Sequence, residues 1–186
     1  MISANLEDIR RRIELASKRA GRRPEEITLV AVTKGISLEE IKAAIKRGIS
    51  DIGENRLQEV IPKYNGLQMT YDERRIKWHM IGHLQTNKVK EAVRIFDLIQ
   101  SVDSLRLAQA ISKEAGKINK QQDILLEVKT SPEESKFGLK PEDTLAVFQE
   151  ISQLPNLNLK GLMTIAPFTD NPEDSRPYFR ILKETF

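Results

Sequence analysis

Ile27-Thr28-Leu29-Val30-Ala31-Val32-Thr33-Lys34-Gly35-Ile36-Ser37-Leu38-Glu39-Glu40 reads as a strand, a turn and the first turn of a helix. Residues 27–33 carry no charge and are rich in β-branched side chains, the composition of a strand. Ser37 is a helix N-cap type, and Glu40 stands three positions on, where a carboxylate completes a capping box. Leu38, Ile41 and Ile45 then keep helical spacing, and Gly48 ends the run.

This strand–turn–helix unit recurs along the chain. Residues 49–53 form a second strand, followed by a helix through Leu57, Val60 and Ile61 that stops near Pro62. Residues 76–81 and 84–93 repeat the pair. Residues 98–101 make a fourth strand, after which Asp103 caps a helix with Leu105, Ala108 and Ile111 on one face. Strand 124–128 precedes helix 141–151. Strand 157–163 precedes Asn171-Pro172, an N-cap with proline at the first helical position. Six successive β/α units with short connections imply α/β architecture with a parallel sheet. Periodicity alone leaves two forms open, a doubly wound open sheet and a (β/α)8 TIM-type barrel. The barrel needs eight units, and Phe186 falls within or just after the sixth helix.

One more helix, about residues 5–20, precedes the first strand, with Leu6, Ile9, Ile13, Ala16 and Ala20 at three- and four-residue steps. Its other face carries Arg10, Arg11, Arg12, Lys18 and Arg19, with Arg22 and Arg23 beyond. A nucleic-acid surface is one reading and a solvated helix face the other. Glu7, Asp8 and Glu14 dilute the charge and no stacking aromatics accompany it, so the solvated face is preferred.

Composition narrows the class. The 186 residues are 39% hydrophobic and 31% charged, which describes a globular chain with enough length for a core. No uncharged apolar run exceeds residues 27–33, far short of a bilayer span. No basic-then-apolar leader opens the sequence, so a cytoplasmic protein is expected. The absence of cysteine excludes disulfides, thiolate metal sites and a cysteine nucleophile.

In parallel α/β folds, sites gather at the carboxyl ends of strands. Lys34 directly follows the first strand, at the rim of an apolar interior, where desolvation raises the fraction of free amine able to attack a carbonyl. That is the requirement for a Schiff-base lysine; a strand-ending lysine that snorkels into water is the alternative. His79 and His83 share the i, i+4 spacing of a metal pair, but Gly82 and a strand pattern separate them and no third ligand is near. Glu54 is a candidate general base, or a carboxylate favoured by a helix N-terminus. No GxSxG, Walker or GxGxxG motif is present.

Five blocks carry a resemblance. They are Val30-Ala31-Val32-Thr33-Lys34, then Ile52-Gly53-Glu54-Asn55-Arg56 with Gln58-Glu59, and Trp78-His79-Met80-Ile81-Gly82-His83-Leu84-Gln85-Thr86-Asn87-Lys88. Ser135-Lys136-Phe137-Gly138 and Gly161-Leu162-Met163-Thr164-Ile165-Ala166-Pro167 follow in order. The chain resembles the pyridoxal phosphate homeostasis protein family, whose fold is similar to the N-terminal barrel domain of alanine racemase. That resemblance implies the barrel, here a single domain over 1–186 with about six β/α units from residue 27 onward and the last two strands absent. It implies pyridoxal 5′-phosphate (PLP) held as a Schiff base on Lys34, with Asn55 and Met163 lining the cofactor pocket and His79 and Ile81 forming its wall. It implies a cytoplasmic PLP carrier or regulator of vitamin B6 balance, with PLP-dependent apoenzymes as partners and no robust turnover. A fold-type III PLP enzyme acting on amino acids is the alternative. Racemisation needs a base on each face of the substrate, and Tyr64, Tyr71 and Tyr178 all lie outside these motifs.

The family's two further strands carry its phosphate-gripping segments, and neither is found here. An unclosed barrel leaves the first and sixth strands as edges, so a monomer or weak self-association is expected. Lys136 is a second, weaker anion candidate.

Overall fold

Ser37 caps a helix as its spacing implies. Its hydroxyl accepts from the Glu40 amide at 3.3 Å while the Glu40 carboxylate accepts from the Ser37 amide at 3.2 Å, opening α2 (Leu38–Ile45). Gly48, at φ 86°, ends the connection to the next strand in a conformation glycine adopts without strain. The computed structural model describes residues 2–68, 76–133 and 137–185. Within them the strands are β1 (Val30–Val32), β2 (Asp51–Glu54), β3 (Lys77–Met80), β4 (Leu98–Val102), β5 (Gln122–Glu127) and β6 (Leu157–Met163). The remaining helices are α1 (Ile2–Arg19), α3 (Leu57–Gln68), α4 (Val89–Ile95), α5 (Leu105–Gly116), α6 (Pro141–Ser152) and α7 (Pro172–Glu184).

All strand pairs are parallel and their order is β1-β2-β3-β4-β5-β6. A doubly wound sheet reverses its order at a switch point; this one never does. Sequential winding is that of a barrel, and the six strands form part of its wall with β1 and β6 at the edges. Side chains alternate between the helix layer and the inner face. Ile52, Met80, Ile99, Ile124 and Leu126 point to the helices and are buried against Ile41, Val60, Val93, Ile111 and Ile151.

Three local expectations need correction. Pro62 does not stop its helix but lies inside α3. The lost N–H bond costs one turn of the ladder, and burial of Val60 and Leu67 on either side of it holds the helix together. Asp103 does not cap α5; Ser104 does, its hydroxyl accepting from the Leu107 amide at 3.3 Å. The first strand is three residues long rather than seven.

Candidate functional site

Register decides which strand-end residues meet. Val32 aligns with Gly53 and Gly53 with His79. Beyond the ladder, the Thr33 amide donates to Gly53 O and the Ile81 amide to Glu54 O, both at 3.0 Å. Two residues past Val32, Gly53 and His79, the positions Lys34, Asn55 and Ile81 therefore stand level at the tips of three adjacent strands. Asn55 and Ile81 line one cavity on the inner face, and Lys34 follows in the turn after β1.

The rim around Lys34 is open. Lys34 is exposed, and Val32, two residues before it, is 49% exposed. The apolar enclosure expected from residues 27–33 is not formed around this lysine, because the strand there is short and lies at the sheet edge.

Asn55 makes no side-chain hydrogen bond among the described residues, and its backbone lies against Gly82. A Cβ on Gly82 would lie 2.5 Å from Asn55 O and 2.7 Å from its Cα, so the β2 and β3 ends approach this closely only with glycine at 82. His79 lies one layer below Ile81. Gln100 donates its side-chain amide to His79 Nδ1 at 2.9 Å, which leaves Nε2–H to donate to Asp51 at 3.0 Å. His79 thus supports the wall from beneath. Met163 is on β6, in register with Glu127, and the strand ends beside it are tied where Thr164 Oγ1 donates to Val128 O at 2.8 Å.

Glu54 proves to be neither a free base nor the opening of a helix. It ends β2 pointing into the helix layer, fully buried, where its Oε1 accepts from Thr33 Oγ1 at 2.5 Å and from Lys63 Nζ at 2.6 Å. The two histidines face different carboxylates. His83 places Nδ1 3.1 Å from Asp103 Oδ2, so the residue expected to cap a helix partners a histidine instead. No group of three or more metal-ligating side chains occurs among the described residues.

A cavity of about 270 Å³ opens on the inner face, lined in part by Asn55, Ile81, His83, Glu127, Ser131 and Phe137. The chain after β5 builds one wall by doubling back. Leu139 N donates to Glu127 O and Lys129 N to Leu139 O, both at 2.8 Å, with Gly138 at φ 124° making the return. Phe137 is thereby laid on the His83 ring, centroids 3.7 Å apart and planes 14° from parallel. Glu127 is 6% exposed, and its carboxyl is pushed up to about 7, first by burial and then by the nearby negative charge of Asp103. Ser131 Oγ is buried without a partner among the described residues. Sequence reasoning passed over both. The one signal was a carboxylate following Ile124-Leu125-Leu126 at a strand end. Lys136 lies outside the described residues.

The family model for the alanine racemase N-terminal domain matches residues 4–186. A pyridoxal phosphate homeostasis protein of Aquifex aeolicus is 43% identical over 173 residues, covering 93% of this chain and 74% of that protein. One from Synechocystis is 39% identical over 160 residues, covering 86% and 72%. The chain belongs to the pyridoxal phosphate homeostasis protein family. Among solved structures, PipY of Synechococcus elongatus with PLP bound superposes at a TM-score of 0.81 with 32% identity, over all of this chain and 80% of that one. An alanine racemase of Clostridium difficile in complex with cycloserine gives 0.72 over 94% of this chain and 47% of that one, at 16% identity. That likeness shows the shared fold alone. The family's barrel and the sequential sheet agree. No helix among the described residues is long and apolar enough to cross a membrane.

Proposed function

We propose that this chain binds PLP, with Lys34 as the covalent anchor, and acts in the cytoplasm as a carrier in PLP homeostasis rather than as a racemase. The register that brings the ends of β1, β2 and β3 level, with Lys34, Asn55 and Ile81 two residues past aligned positions, supports this reading. PLP, when bound, supplies an aldehyde carbon that a lysine amine captures. The residues present suit it. Lys34 offers an amine reachable from solvent, Ile81 an apolar wall, and Asn55 a side-chain amide beside Ile81 at the end of β2. Met163 adds a polarizable surface from the far edge of the sheet. His79, locked between Asp51 and Gln100, keeps the Ile81 backbone in position from below.

The tyrosines support carriage over racemisation. Tyr64 packs edge-on against Trp78, 5.7 Å between centroids, in the helix layer, and Tyr178 is on α7; Tyr71 lies outside the described residues. Neither described tyrosine is placed at the strand tips as a second base. PLP-dependent apoenzymes are the recipients this reading implies.

Borohydride reduction after incubation with PLP, followed by peptide mapping, tests the assignment. A single adduct at Lys34, lost in Lys34→Ala, is expected. Labelling spread over several lysines, or undiminished in Lys34→Ala, rejects the anchor. Amino-acid racemisation that requires Lys34 rejects the carrier role.

A further inference from the structure

Lys34 sits in a turn that packing does not fix. It is exposed, Val32 before it is half exposed, and a Cβ on Gly35 would meet nothing within 4 Å. The Ile36 amide donates to Thr33 O at 3.0 Å, which makes Lys34 and Gly35 the central pair of a β-turn. Gly35 has φ 70°, the positive value that a type II turn needs at its third position. Types I and II differ by a rotation of the central peptide, here the unit between Lys34 and Gly35, and that rotation resets ψ of Lys34. Two side chains of α3 reach this turn. Glu59 Oε2 accepts from the Gly35 amide at 3.2 Å, and Lys63 Nζ donates to Thr33 O at 2.6 Å. Each of the two peptide units that flank Lys34 is therefore bonded to α3.

Glu59 and Lys63 stand one helical turn apart, a spacing at which glutamate and lysine ordinarily pair with each other. Here they part. Lys63, its side chain 12% exposed, takes Glu54 Oε1 as its carboxylate at 2.6 Å, while Glu59 turns to the Gly35 amide. Thr33 Oγ1 donates to that same Glu54 oxygen, so the residue before Lys34 is tied through its hydroxyl as well as its carbonyl.

We propose that Glu59 and Lys63 are positioning residues for Lys34: together they lock the two peptide units beside it, so that an exposed lysine presents its amine from one backbone conformation. The inference rests on the reading of Lys34 as the PLP anchor and adds what holds that anchor. Glu59 fixes the central peptide of the turn, and its loss frees that unit to rotate. Lys63 fixes Thr33, where the chain leaves β1. Both act on the backbone, and the order they impose beforehand lowers the entropy cost of capture.

The test titrates PLP against the full chain, reduces with borohydride and maps the fraction of Lys34 modified. Urea unfolding and amide exchange at Gly35, both without PLP, run alongside. Glu59→Ala is expected to raise the PLP concentration for half-modification about fivefold and to speed Gly35 exchange by about as much, with the urea midpoint close to that of the wild type. Glu59→Gln keeps an oxygen acceptor and stays within about twofold of the wild type. Lys63→Met is expected to raise half-modification about tenfold; because it also strips Glu54 of its cation, the decision rests on Glu59. Glu59→Ala labelled within about twofold of the wild type, or Glu59→Gln as impaired as Glu59→Ala, overturns the clamp and leaves the anchor standing. Labelling that falls only together with the urea midpoint overturns the clamp too, since the effect is then on the fold. No selective adduct at Lys34 in the wild type overturns the anchor, and the clamp with it.

Discussion

Glu54 ends β2 and Glu127 ends β5; both are buried, and their surroundings differ. Glu54 points into the helix layer, where Lys63 supplies a counter-charge at 2.6 Å and Thr33 a hydroxyl at 2.5 Å. Glu127 points to the inner face, where burial and then the like charge of Asp103 push its carboxyl up to about 7. Glu54 is tied into the scaffold through Oε1, with its Oε2 buried and unpartnered; Glu127 makes no side-chain hydrogen bond among the described residues. The face of the strand, which is a matter of one residue in register, separates structure from site.

The largest expected effect comes from removing the scaffold's counter-charge. Lys63→Met leaves Glu54 buried with no cation, and urea unfolding is expected to show a loss of about 3–5 kcal/mol. A loss under about 1 kcal/mol would mean that the pair is not the anchor its geometry implies.

Glu127 should behave in the opposite sense. A carboxyl whose folded value is raised from 4.5 to about 7 keeps its proton in the native state while the unfolded chain has already lost it. Below about pH 4.5 both states are protonated and the group is neutral in its effect. As pH rises from there to about 7, stability is lost, and above 7 the full penalty remains. Glu127→Gln is therefore expected to be more stable than the wild type at pH 8 by about 1–3 kcal/mol, with that advantage gone at pH 4. A difference independent of pH would break the contrast between the two glutamates.

The smallest effect concerns Ser104, which follows Asp103 in the chain. Ser104→Ala should cost about 1 kcal/mol by removing the α5 cap. Urea titrations check that loss; the Ser104 hydroxyl also donates to Asp103 Oδ1 at 3.2 Å, so the cap touches the carboxyl cluster as well as the helix. Asp103, one residue earlier, is the one tied to His83.

Much of the scaffold could be read directly because its signals are local. Ser37 with Glu40, Asn171 with Pro172, and the strand Leu157–Met163 need only their immediate neighbours to be recognised, and all three form as the spacing implies. Asp103 and Ser104 are both good N-cap types in adjacent positions, and only the placement of His83 separates them. Pro62 is legible as a breaker but not as a tolerated one, since tolerance depends on packing around Val60 and Leu67. Lys34, Asn55 and Ile81 could be named from the motifs that carry the family resemblance, while their common level is a product of register across three strands. The openness around Lys34 was illegible, because the apolar composition of residues 27–33 does not reveal how much of that run pairs. Glu127 and Ser131 escaped notice because the wall that encloses them is built by a chain reversal at Gly138, and their isolation is a property of space rather than of spacing.

Sequential strand order has a kinetic consequence as well. Every strand hydrogen-bonds only to the strands immediately before and after it in the chain. Each pairing therefore closes a loop of one helix and its connections, with a modest entropy cost that does not grow as the chain lengthens. A nascent chain leaving the ribosome can add β2 to β1, then β3 to β2, with no strand waiting for a distant partner. The same winding lets those first three strands assemble while the rest is still being made.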